Sequence, residues 1–277
     1  LLGVFSPDWV EPLANVLLVT GKRGKAIYED ETFYLSRALQ PDPRIQDSRK
    51  ILVQQTTCDP AQVQPAMLAG RDVVIMANVP TLTPAALASL KHFVADGGGL
   101  LIFPGEGVDT NFYNQSCGSS NDLFGALLPA QLVRTFSGED DPRRFTYLAG
   151  IDFQHPVFAM FRGEHAAALA LPRFYSIWEL APVAPRARRL SAFSIGLDAI
   201  MENRYGNGRV LMTAFPAQLG WSSFPLKPAF VPFVHQSVAY LCPGKWSDQL
   251  HDQEIDDSFR LYLPAPLRRA EVGVVTP

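Results

Sequence analysis

The sequence predicts an α/β protein built on a doubly wound parallel sheet, and three observations predict it. Asp72–Gly107 (DVVIMANVPTLTPAALASLKHFVADGGGLLIFPGEG) reads as strand, crossover helix, glycine turn, strand. Two short apolar runs precede it, Asn15–Thr20 and Ile51–Thr56, each followed by a stretch of helical spacing. Hydrophobic residues make up 47% of the 277 and charged ones 18%, enough apolar side chain for a large buried core. A βαβ crossover is nearly always right-handed, and its parallel sheet needs helices on both faces. Four strands with intervening helices predict the spatial order 2-1-3-4.

Residues 1–14 read as a proline-containing lead-in carrying Phe5 and Trp9, and Asn15–Thr20 as the first buried strand. The loop GKRGKAIYEDE follows; it lacks the GxxxxGK[ST] spacing and any GxGxxG, so a solvated basic loop is favoured over a phosphate cradle. Glu29-Asp30-Glu31 opens a helix over Thr32–Leu39, where acids complement the positive end of the helix dipole. Pro41-Asp42-Pro43 breaks it, and the second strand is polar at its far end, as an edge strand tends to be. Asp59-Pro60 then starts a short helix through Leu68.

In the central unit, Thr83 caps a helix with Pro84 at its first position, where a missing N–H costs nothing. Leu87, Leu90, Phe93 and Val94 face the sheet, and Gly97-Gly98-Gly99 turns the chain back. Asp109–Gly125 is a polar, turn-rich loop over the carboxyl edge, of the length that functional lids have. Residues 127–205 carry short β-like segments and read as an inserted antiparallel section, with Gly206-Asn207-Gly208 as a hairpin turn. Arg209–Phe215 returns to the main sheet, and Pro228–Leu241 is a closing helix, apolar nearly all round. The expected domain is therefore 15–242. Residues 243–277 read as a linker and the start of a further β module, and the missing initiator methionine leads us to expect a segment of a longer protein.

Composition excludes several classes. A net charge of −3 without a basic cluster disfavours nucleic acid, and Arg186-Ala187-Arg188-Arg189 reads as a solvated turn. Cys58, Cys117 and Cys242 form no CxxC pair, so no metal cage is expected, and spacing alone assigns no disulfide. No apolar run reaches the roughly 18 residues of a membrane span, so direct membrane insertion of this segment is not expected.

In such sheets ligands sit at the carboxyl ends of the strands. Asn78, Gly105, Glu106 and Gly107 lie there, with Asp109 beside them, and these are the candidate ligand-binding residues. Tyr113 and Trp221 are added as candidate aromatic platforms, equally suited to packing. Glu106 could hold a ligand hydroxyl or amine, or share a cation with Asp109 and Asp30; the competing and favoured reading is a surface acid satisfied by backbone N–H groups. No cofactor, no metal and no catalytic residue are assigned.

The ordered motifs VLLVTGKRGKAIYEDETFYLSRAL, DVVIMANVPTLTP…LKHFVADGGGLLIFPGEGVD…FYN, HPVF…FRG and GNGRVLMTAF…W…FPLKPAFVPFVHQSVAYL cover roughly residues 15–242. They resemble the class I glutamine amidotransferase-like domain of large bacterial membrane proteins of the aerotolerance-regulator (BatA-like) type, in which transmembrane helices and a von Willebrand factor A domain precede the module. The glycine triplet strand and the YGNGRV hairpin are more loosely similar to ThuA-like proteins. The resemblance implies a flavodoxin-like fold in the non-membrane portion of a membrane-anchored bacterial protein, with the periplasm as one location. It implies as partners the neighbouring domains and other proteins of a membrane complex.

Class I amidotransferases carry a nucleophilic cysteine on the turn between a strand and a helix, where backbone amides bind the oxyanion, with a histidine as base. The matching turn here is Pro104-Gly105-Glu106-Gly107, without sulfur. His235 lies among Phe230, Phe233 and Val238 and reads as a hydrogen-bonded core histidine, and His155 as part of a turn. The expected function is a non-catalytic binding or scaffold domain. The alternatives are a cysteine-dependent amidotransferase or hydrolase, or one using Glu106 with His235, and a small-ligand domain, for instance for a sugar.

Overall fold

The computed structural model describes residues 13–21, 30–40, 52–117, 125–137, 144–183 and 187–242. Most of the lead-in, the basic loop, Pro41–Pro43, the second half of the 109–125 loop and all of 243–277 lie outside the described residues. The described residues form ten strands: β1 (Leu13–Thr20), β2 (Leu52–Cys58), β3 (Val73–Ala77), β4 (Gly99–Phe103), β5 (Ala130–Ser137), β6 (Leu148–Ala149), β7 (Ser176–Pro182), β8 (Arg188–Phe193), β9 (Asp198–Tyr205) and β10 (Gly208–Thr213). Among the same residues six α-helices accompany them: α1 (Phe33–Leu39), α2 (Pro65–Leu68), α3 (Pro84–Ala95), α4 (Pro156–Ala159), α5 (Ala167–Ala170) and α6 (Phe230–Leu241).

The main sheet has eight strands in the order β2-β1-β3-β4-β10-β9-β8-β6. The first five are parallel to their neighbours, in the 2-1-3-4 order the sequence predicts, and β9, β8 and β6 continue it antiparallel. Every residue of β3 and β4 is buried, as central parallel strands covered on both faces must be. α1 packs with α6 and α2 with α3. The 127–205 section divides: β9, β8 and β6 extend the main sheet, while β5 and β7 pair as a separate antiparallel ribbon. The cause is the hairpin at Gly206, which folds β9 back along β10 so that hydrogen bonding simply continues. Gly206 alone supplies the positive φ (59°) in that turn, and Asn207 does not share it.

Several local rules carry the central unit. Thr83 Oγ1 accepts from the Ala86 N–H at 3.2 Å, and Pro84 occupies the first position of α3. Gly97, with φ 114°, ends that helix. Arg188 and Arg189 belong to β8 rather than to a turn, Arg188 pairing with Asp152 and Arg189 with Asp198.

α6 closes the fold. Its Phe233 stacks on Phe158 of α4, with ring centroids 6.0 Å apart, and Phe224 wedges against both Phe230 and Phe233. His235 donates from Nε2 to the Ala38 carbonyl at 2.8 Å, tying α6 to the end of α1 in the core role its apolar neighbours predict. Burial pushes its pKa down, and the Ala38 carbonyl only partly offsets this.

Two consequences can be measured. A β-carbon on Gly99 would lie 2.6 Å from the Leu241 carbonyl oxygen at the end of α6, so Gly99→Ala is expected to cost about 1–3 kcal/mol in urea unfolding. Because His235 has a depressed pKa, its contribution is full above the unfolded-state value of about 6.5 and is lost as pH falls toward the folded-state value. His235→Gln should therefore flatten the stability decline below that pH.

Candidate functional site

In a doubly wound sheet the ligand crevice opens where the strand order reverses, here between the carboxyl ends of β1 and β3. β1 is followed by Gly21 and β3 by Asn78. Asn78 adopts φ 48°, the one positive value at a non-glycine residue among the described residues, and a short polar side chain tolerates it best. Its N–H donates to the Phe103 carbonyl at 2.8 Å, so the chain leaves the ladder immediately after a regular bond.

The Asn78 side chain, only 2% exposed as a residue, does the joining. Its Nδ2 donates to Glu31 Oε1 at 2.8 Å, and its Oδ1 accepts from the Gly107 N–H at 2.9 Å. A carboxylate only accepts and a backbone N–H only donates, so these partners fix which end of the amide is which. Three separate segments, from the loop after β1, the end of β3 and the turn after β4, thus meet on one carboxamide.

The close fit explains two glycines. A β-carbon on Gly105 would lie 2.6 Å from Asn78 Cγ, and one on Gly21 would overlap the Asn78 carbonyl. Further bonds secure the same edge. Tyr113 Oη donates to the Val79 carbonyl at 2.8 Å, and the Asp109 N–H donates to the Pro80 carbonyl at 3.2 Å. From the ribbon, Trp178 Nε1 donates to the Gly105 carbonyl at 3.2 Å, and its ring lies 6.2 Å from that of Trp221.

The sequence-predicted residues therefore do gather, in different roles. Asn78 and Gly105 are buried and hold the edge together, whereas Glu106, Gly107 and Asp109 are exposed. Tyr113 and Trp221 are buried, so their rings are packed rather than presented. Asp109 Oδ1 accepts from the N–H groups of Asn111 and Phe112 and so starts the π-helical turn Phe112–Cys117 within the loop expected to be structureless. Asn114 in that turn bonds both the N–H and the carbonyl of Leu132, fastening it to β5. Asp30 Oδ1 accepts from the Thr32 N–H at 2.8 Å and from its hydroxyl at 2.6 Å, a local turn just before α1. Among the described residues no three His, Cys, Asp or Glu groups are placed to hold a metal.

Glu31 is a correction. It was expected to serve the helix dipole with Glu29 and Asp30; instead it is buried and bonded to a residue 47 positions away. Trp178, the other partner of this edge, was read only as part of a strand. One signal for Glu31 was present: an acid enclosed between Asp30 and Thr32, which bond to each other, is redundant at the start of the helix.

Cys58, Cys242 and His155 are buried, and the side chain of Cys117 lies outside the described residues. Cys58 is buried at the end of β2, the outermost strand; burial, and then the charge of Asp59, push its thiol pKa up against a smaller pull from Arg71. Cys242 is buried after α6, beside the amino end of β4. His155 uses both ring nitrogens: Nδ1 accepts from the Val157 N–H at 3.3 Å as the cap of α4, and Nε2 donates to Glu202 Oε2 at 3.1 Å. Tyr240 Oη donates to the same oxygen at 2.6 Å. Burial would raise the Glu202 carboxyl, but the hydrogen bonds from His155 and Tyr240, with the charges of His155 and Arg188, bring it below the ordinary value. Tyr240 is pushed up, first by burial and then by Glu202.

The order of strands and the placement of helices define a flavodoxin-like α/β fold. No protein-family profile and no curated protein matches the chain. Among solved structures it is similar to the cytoplasmic protein STM3548 of Salmonella typhimurium, at 14% identity and TM-score 0.59, over 82% of this chain and 98% of that one. It is also similar to a protein described as ThuA-like from Bacteroides uniformis, at 10% identity and TM-score 0.54, over 85% and 94%. A β-galactosidase from Bacillus circulans matches at 15% identity and TM-score 0.51, over 83% of this chain but 31% of that enzyme. At these identities the likeness is one of fold alone, shared with the protein described as ThuA-like. No helix among the described residues is long and apolar enough to cross a membrane.

The clasp predicts a graded response. Asn78→Ala removes one bond to a charged group and one to a backbone N–H inside the core, and should cost about 2–4 kcal/mol in urea unfolding. Tyr113→Phe removes the neutral bond to the Val79 carbonyl and should cost about 1 kcal/mol.

Proposed function

We propose that this chain is a non-catalytic, amidotransferase-like binding module of a multidomain, membrane-anchored bacterial protein. One observation carries the reading: the turn after β4, where a related enzyme would present its nucleophile, carries no sulfur and leaves no room for a side chain at Gly105. Gly105 lies against the Asn78 carboxamide, and its carbonyl takes the Trp178 indole N–H. The exposed side chain next along is Glu106, and a carboxylate there cannot pass an acyl group through a thioester.

The supporting observations concern the remaining chemistry. Cys58 is buried with its pKa raised, the reverse of an activated thiol, which needs an electropositive and accessible setting. His155 and His235 are committed to Glu202, Val157 and Ala38. The membrane attachment and the neighbouring-domain partners are drawn from the resemblance in the ordered motifs. In this reading the sheet edge is a rigid support, and contacts with neighbouring domains are made by the surface around it.

Purified protein incubated with glutamine should release no more ammonia than a blank, and native Cys58 should alkylate on the order of a hundredfold more slowly than in urea, since a buried thiol reacts only through local opening. Ammonia release that disappears in Cys58→Ser would sink the proposal. Fractionation of cells making the parent protein tests its second half: the parent should stay with the membrane pellet after a salt wash.

A further inference from the structure

A second surface stands out away from the clasp. Thr146 and Phe174 exchange backbone bonds at 2.9 and 2.8 Å, and Phe174 also bridges to Ser222. Both point inward and are buried, so the period of two turns Phe145, Tyr147, Arg173 and Tyr175 outward. Phe145 is 40% and Tyr147 45% exposed, and the Arg173 guanidinium lies 4.6 Å from the Phe145 ring centroid. The turn after β8 joins this platform through the Ser194 N–H on the Tyr147 carbonyl at 2.8 Å, bringing Ile195, which is 58% exposed. Leu171 and Leu226 flank it, exposed as well. Large apolar side chains gathered in this way mark an interaction site, whereas single ones do not.

The charge of the platform has one sign. Arg144, Arg173 and Lys227 border it, and the stretches 144–147, 171–175, 194–197 and 221–227 contain no Asp or Glu. Among the described residues no ion pair engages those three cations. An occupant should therefore be acidic and carry apolar anchors. The chain holds such a segment: residues 248–257, DQLHDQEIDD, with acids at Asp248, Asp252, Glu254, Asp256 and Asp257, no Lys or Arg, and Leu250 and Ile255 between them.

Reach permits the contact. Leu226 lies just before α6, whose twelve residues span about 18 Å. Residues 243–247, drawn out, span about 17 Å, and the acidic segment a further 33 Å or so.

We propose that residues 248–257 dock in cis on the Phe145–Tyr147–Arg173 platform, acids against the arginines and Leu250 and Ile255 against the exposed rings. This contact is independent of whether the sheet edge is catalytic.

Hydrogen–deuterium exchange on the full 277-residue chain tests it. At low salt, amides in 248–257 should exchange about tenfold more slowly than in a free peptide of the same sequence, and about 0.5 M salt should abolish the difference. Arg173→Glu, an exposed change, should release the segment while leaving exchange in β4 and α3 unaltered. Neutralising the tail acids (D252N/E254Q/D256N/D257N) should do the same without touching the folded domain. Free-peptide exchange rates in the unaltered chain would overturn the proposal, as would protection that survives Arg173→Glu. Protection that falls on dilution would assign the platform to a second copy. Protection of 144–147 lost only when Glu139, Asp140 and Asp141 are neutralised would assign it to that nearer acidic run; either result overturns docking by 248–257.

Discussion

A carboxylate taken out of water needs hydrogen bonds in the water's place, and one oxygen of Glu31 takes such a bond from the amide of Asn78. The rest of the carboxyl edge follows from this. Because Asn78 must reach Glu31 on one side and Gly107 on the other, its backbone leaves β3 in the left-handed region and its side chain lies flat between strands. Neighbours close enough to touch it can carry no β-carbon, hence Gly21 and Gly105. A constraint set by one buried acid thereby fixes the shape of three loops.

The antiparallel part of the molecule completes the edge. The β5–β7 ribbon delivers Trp178 to the Gly105 carbonyl, and the turn beginning at Asp109 delivers Tyr113 to the Val79 carbonyl. The region where flavodoxin-like sheets take ligands is consequently bounded by the protein's own aromatic side chains, with Glu106, Gly107 and Asp109 left at the outer rim. A second polar node, His155, Glu202 and Tyr240, joins α4, β9 and α6 on the far half of the sheet. There the His155 ring nitrogens, the Tyr240 hydroxyl and the Glu202 carboxylate are directed at other protein groups, which suits a support better than a reaction centre.

Much of the fold was legible because its signals are local. The Thr83-Pro84 start, the glycine stop after α3 and the apolar runs of β1, β3 and β4 each follow from a few adjacent residues, and the order 2-1-3-4 follows from how such units must wind. The candidate site was legible in position, since strand ends can be counted, but not in role. Glu31 and Asn78 lie 47 residues apart, and in sequence Glu31 is one acid in a run of three. Tyr113 and Trp221 could equally have faced water or the core, and only the packing of the ribbon and the 112–117 turn decided it.

By itself the sequence determined the parallel half of the sheet, the absence of sulfur on the turn after β4, and the aromatic character of the closing helix. These depend on residue type and short spacing alone. Tertiary structure alone decided that Glu31 is buried, that Asn78 fills the crevice, and that Phe145, Tyr147 and Arg173 form an outward platform. Each of those is a meeting between distant segments, and chain connectivity carries no information about which side chains meet until burial and hydrogen bonding select one arrangement.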